Sequence, residues 1–167
     1  MANTDRANGF AVVQDYWGDI SSIAHEWPLT AGETIAKGDV VYLTSAGRVS
    51  IATATTANRI LGVAATSCAS ATVGDPILVY DNPKQVFSGQ SVSGALADPY
   101  TTGSEASCFD LVATTGGMYV NSAASTYDVF KVVGFGVEPD GSASAVGAYQ
   151  KQLVMFNPAV HIFGTTA

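Results

Sequence analysis

The chain has 167 residues, of which 47% are hydrophobic and 13% charged, and its formal net charge is −7. That length suits one domain, or one domain with an arm, and so apolar a composition argues against a disordered chain. Seven scattered Lys and Arg residues lack the clustering that displaces counterions from phosphates, so no nucleic-acid partner is expected.

Sparse charge leaves little to keep a lone monomer soluble, which points to burial in an assembly. Seventeen glycines, with many Ala, Ser and Thr residues, suit a turn-rich β protein. No apolar run reaches the roughly 20 residues of a membrane helix, so no membrane partner is expected either. Residues 1–10 lack the apolar centre of a signal peptide. The expectation is therefore synthesis in a cytoplasm, with Cys68 and Cys108 as reduced thiols.

Residues 1–18 read as an extended N-terminal arm. The start is polar, Gly9 and Gly18 loosen it, and Phe10, Tyr16 and Trp17 need a surface to rest on. That surface is either a partner or the chain's own domain. On the partner reading, Phe10, Tyr16, Trp17 and Trp27 contact a partner surface or a neighbouring subunit, and deleting residues 1–17 leaves the rest folded. Between Ile20 and Pro28, Ile23, His25 and Trp27 alternate with Ser22, Ala24 and Glu26, which is the period of a strand. Pro28 ends it or marks an edge.

Val40–Thr44 and Arg48–Ala52 read as a hairpin closed by Ser45-Ala46-Gly47. Arg59–Ala65 is a further strand with Gly62 at a bulge. Ile77–Tyr80 and Val86–Phe87 flank Asp81-Asn82-Pro83, a turn signal, and read as consecutive strands of one sheet. Residues 88–103 are rich in Gly, Ser and Thr, with at most one helical turn at Ala95–Ala97. Cys108–Ala113 and Met118–Val120 are short strands. Val129–Val137 has apolar groups on both periods and reads as a central strand covered on both faces, where Val133→Asp should unfold the domain. Glu138–Gly141 is a turn, and Gln150–Phe156 is the last strand. No stretch keeps a helical period. The fold class expected is all-β, a compact β-barrel-like or β-sandwich domain over residues 19–167 with the arm before it and little helix.

The chemistry of common active sites is missing. His25-Glu26-Trp27-Pro28-Leu29 begins like a metalloprotease helix, but Leu29 stands where the second histidine belongs and Pro28 opposes the helix. Two histidines, His25 and His161, and two dispersed cysteines make a poor zinc set, so both histidines are expected at the surface or rim. Gly89-Gln90-Ser91-Val92-Ser93 lacks the last glycine of a nucleophile elbow. Gly134–Pro139 fails the dinucleotide fingerprint, and no helix follows it. Asp75, Asp81, Asp98 and Asp110 sit beside turns and are expected to stabilise them. No catalytic residue, metal or cofactor is expected.

Read in order, Met1-Ala-Asn-Thr-Asp, Gly38–Leu43, Ile60–Val63, Ile77–Phe87, Val133–Asp140 and Gly147–Val154 resemble the decoration, or cement, proteins of tailed-phage heads. The resemblance implies a small β domain, made in the host cytoplasm, that trimerises on the outer capsid surface. Its partners would be the major capsid protein and two further copies of itself. It implies no enzymatic residues. Its work would be mechanical: bridging capsid subunits against the outward push of packed DNA. The alternative reading is a carbohydrate-binding β module on the virion surface, with Trp17, Trp27, Tyr100 or Tyr119 stacking on sugar rings.

Overall fold

The computed structural model describes residues 9–15, 23–56, 59–92, 108–121, 126–137 and 141–164. These hold eleven strands and no helix. In chain order they are β1 (Ala11–Asp15), β2 (His25–Pro28), β3 (Val40–Leu43), β4 (Val49–Ile51), β5 (Ile60–Ala64), β6 (Pro76–Tyr80), β7 (Gln85–Gln90), β8 (Cys108–Val112), β9 (Tyr119–Asn121), β10 (Phe130–Phe135) and β11 (Lys151–Phe156). They form a six-stranded sheet in the order β1-β7-β11-β10-β8-β9 and a five-stranded sheet in the order β2-β6-β5-β3-β4. Pairing between these strands is antiparallel throughout. The sheets are open, so the fold is a β-sandwich and not a barrel.

Two hydrophobic clusters follow from strand alternation. Between the sheets, Val40, Ile60 and Val63 meet Phe87, Phe130, Val132, Val154 and Phe156. The outer face of the five-stranded sheet buries Val41, Leu43, Leu61, Ile77 and Val79 under Leu29, Ile35 and Ala71. The strand covered on both faces is therefore β5, buried along its whole length. The expectation that this was Val129–Val137 is corrected. In β10 only Phe130, Val132 and Gly134 are buried; Lys131 is exposed and Val133 and Phe135 are half-buried. β10 is central within its sheet, but its second face is only partly covered among the described residues. The charge substitution expected to unfold the domain belongs at Val132 and not at Val133.

The bulge expected at Gly62 is present. The β3–β5 register passes from Val41↔Gly62 to Tyr42↔Ile60, leaving Leu61 as the extra residue. This shift lets Ile60 and Val63, three apart, face the same core. Glycine is required there by close approach: a β-carbon on Gly62 would overlap the Tyr80 carbonyl oxygen and lie 2.8 Å from its carbon and 3.1 Å from the Asp81 α-carbon. These are backbone atoms of the end of β6 and of Asp81 just beyond it, and they cannot swing aside. Gly62→Ala is expected to lower stability by about 1–3 kcal/mol, as overpacked sites do, read as a lower urea midpoint. An unchanged midpoint would show that the β5–β6 spacing is loose.

The hairpin β3–β4 stands as expected, with Gly47 at φ 71° in its turn. A second correction concerns Ile77–Tyr80 and Val86–Phe87. They lie in different sheets, β6 in the smaller and β7 in the larger. Pro83 cannot donate a ladder hydrogen bond, and Phe87 completes the other layer by packing 5.5 Å from Phe156. The segment Asp81–Lys84 is thus a corner between layers.

Within the expected arm, residues 11–15 pair with β7 as its edge neighbour. Phe10 is 3% exposed and sits in the core between the sheets, its ring 4.8 Å from that of Phe130. Its N–H donates to the Gly38 carbonyl over 2.8 Å.

Candidate binding site

The corner between the layers carries a groove. Asn82 builds the turn: its Oδ1 accepts the Lys84 N–H at 2.9 Å, and its carbonyl accepts the Gln85 N–H at 3.0 Å. Asp81, just before it, is 6% exposed. Its carboxylate accepts a hydrogen bond from His25 Nδ1 at 2.7 Å on one oxygen and from Trp27 Nε1 at 2.9 Å on the other. His25 and Trp27 reach the same carboxylate because they are two apart on β2 and project from one face. Beside this clamp opens a groove of about 580 Å³. Ile23 and Phe163, 66% and 50% exposed, form apolar walls. Glu26 and Pro83 complete the lining. The Trp27 and Phe163 ring centres are 6.2 Å apart.

Behind the groove lies His161. The expectation of two surface histidines is corrected here. His25 is exposed, but His161 is 4% exposed and packs 5.7 Å from Phe156 and 6.0 Å from Phe163. Its Nδ1 accepts the Phe163 N–H at 3.1 Å. Burial lowers its pKa to about 4, against the opposing influence of the Leu61 backbone and the Asp81 charge. Between pH 6.5 and about 4 the unfolded chain therefore binds a proton that the native chain does not. Stability should fall as pH falls through that window, by about 3 kcal/mol in all. Asp39 acts in the opposite sense at the low end: burial raises its carboxyl above 3.8 despite hydrogen bonds from the Ala36 and Gly116 N–H groups. Urea midpoints across this range should slope for the native chain and flatten for His161→Asn, which keeps an acceptor for Phe163. Parallel slopes would show that His161 is not the titrating group.

A hydrogen-bonded His–Asp pair is also two-thirds of a nucleophile-activating triad. None of the described residues lining the groove is Ser, Thr or Cys. The pair instead fixes the Trp27 side chain. Apolar walls, an anchored indole and two carboxylates make a surface suited to holding a ligand.

Of the aromatic residues expected to make contacts, Trp27 is in this groove, half-buried. Phe10 fills the chain's own core. Tyr16 and Trp17 lie outside the described residues, as do Asp98, Tyr100 and the turn residues Glu138–Asp140. Asp75 serves its turn by accepting the Thr72 N–H at 2.7 Å. Asp81 does more than stabilise a turn, since it clamps β2 side chains 54 and 56 residues away. Phe163 was not singled out, because its stretch has no periodicity to mark it. The alternation of Ile23, His25 and Trp27 was the one sequence signal for this site. Neither Cys68 nor Cys108 is in a disulfide.

No curated protein matches the chain. Residues 1–80, which carry β1 to β6 and the groove residues Ile23, His25, Glu26 and Trp27, match the family model described as phage cement protein, and it is to this family that the sequence points.

Proposed function

We propose that the chain is a virion structural protein that coats the outer surface of a tailed-phage head as a homotrimer and holds the shell against the pressure of packed DNA. The observation that carries this reading is the match of residues 1–80 to phage cement proteins, a family that supports a structural role on the capsid. The acidic excess fits an outward-facing skin that does not collect polyanions. Trp27 is the described candidate for contact with the shell, with Tyr16 and Trp17 as further candidates; Phe10 acts from within the core. Such a protein works without catalysis. Many weak attachments around one head raise avidity with no new chemistry.

The test mixes purified protein with heads that lack it. Co-sedimentation at a fixed number of copies per head, a trimer by light scattering, and heads that keep their DNA to higher temperature are the expected results. Failure to bind heads, together with selective capture on a glycan array, would replace this reading with the carbohydrate-binding one.

A further inference from the structure

The groove has a sign and a shape that specify its occupant. Two of its lining residues, Glu26 and Asp81, are acidic, and none of the described lining residues is Lys or Arg. Asp81 cannot turn outward, because both its oxygens are held by His25 and Trp27. Its charge therefore stays fixed at the Nε1 edge of the indole. Trp27 and Phe163 present ring surface beside it, and Ile23 extends the apolar wall. A planar cation over an aromatic face beside a carboxylate gains from both, and Arg does so better than Lys because its guanidinium stacks. β2 is the end strand of its sheet, with β6 its one strand neighbour among the described residues. It is four residues long and ends in Pro28. Main-chain pairing there is restricted to a few bonds, so side chains in the groove must carry recognition.

We propose that this groove takes an extended segment of the head-shell protein, with an Arg side chain seated against Trp27 and Phe163 beside Asp81, in the acidic surroundings to which Glu26 adds. This rests on the capsid-binding function proposed above and names the chemistry of its contact. A second copy of the chain is the poorer occupant, since it brings the same net charge of −7 to an already acidic patch.

Three variants test this on the intact protein. Glu26→Lys and Ile23→Asp change exposed side chains, and Phe163→Ala removes one wall; thermal melts of each establish that the fold is kept. Binding to heads that lack the protein is measured from about 50 to 200 mM salt. The native chain should bind less tightly as salt rises. Glu26→Lys should weaken binding about tenfold with a shallower salt dependence, and Phe163→Ala should weaken it about tenfold at every salt concentration, as loss of an aromatic anchor does. Tiled peptides of the head-shell protein should yield an Arg-containing segment that quenches Trp27 fluorescence in a Trp17→Phe background. Native-like head binding by all three variants would overturn the groove proposal and leave the capsid function standing. Loss of trimer with unchanged head binding by trimers that remain would assign the groove to a second copy and overturn it equally. No head binding by the native chain would overturn both.

Discussion

Phe10→Ala is expected to cost about 3–5 kcal/mol, as removal of a fully packed phenylalanine does. That is a large share of the roughly 5–15 kcal/mol by which a domain is stable. The ring is 3% exposed, lies against Phe130, and is matched by a glycine opposite: a β-carbon on Gly89 would meet the ring, 2.6 Å from its Cδ1. Gly9, at φ 65°, brings the chain against Gly38 so that the ring can turn inward. Deleting residues 1–17 removes this plug and β1 together and should destabilise at least as much, in contrast to the sequence expectation of a dispensable arm. Urea denaturation of Phe10→Ala beside Phe163→Ala measures it, since the latter side chain is half-exposed and should shift stability by only about 1 kcal/mol. A Phe10→Ala midpoint equal to the native one would free this residue for a partner surface.

Asp110→Ala should be comparably severe. Asp110 lies on β8 and is 6% exposed. Its Oδ1 accepts the N–H groups of Tyr127 at 2.7 Å and Asp128 at 2.9 Å, and its Oδ2 accepts that of Thr126 at 3.1 Å. These three amides form the entry to β10, where Asp128 takes a φ of 49° that non-glycine residues seldom adopt. Hydrogen bonds to a charged group contribute about 1.5–3 kcal/mol each, and they do not add fully. The expected loss is about 3–5 kcal/mol, with amide exchange at Tyr127 and Asp128 accelerated before the strand itself opens. Asp110→Asn keeps one acceptor oxygen and should lose less. A loss below about 1 kcal/mol for Asp110→Ala would show that the loop is held by other contacts.

The strand content was legible because alternation and turn residues are local signals. The hairpin around Gly47 and the bulge at Gly62 could be read directly, since each depends on neighbours a few residues away. Which sheet a strand joins is a long-range property, and there the reading of Ile77–Phe87 as one sheet failed. Two apolar runs around Asp81-Asn82-Pro83 look alike whether the chain folds back or crosses layers. The covered strand was misplaced for a related reason. β10 shows apolar residues on both periods, but the second layer over one face depends on loops carrying Leu29, Ile35 and Ala71, which pack on β5 and its neighbours. The binding groove was half-legible. His25 and Trp27 share a period, whereas Asp81 and Phe163 come to them from 54 and 136 positions beyond Trp27. The same distance hid His161, whose burial no nearby residue announces.

The corner at Asp81–Lys84 has a mechanical consequence. It joins β6 of one layer to β7 of the other, and Asp81 within it is tied to β2 through His25 and Trp27. Any molecule that pulls on the groove therefore divides its load at this point. One share passes through β6 into β5 and β2, and the other through β7 into β1 and β11. Neither layer can be drawn away alone without opening the core between the sheets, where Val40, Ile60 and Val63 meet Phe87, Phe130 and Phe156. Tension applied at the groove is thus shared by both layers.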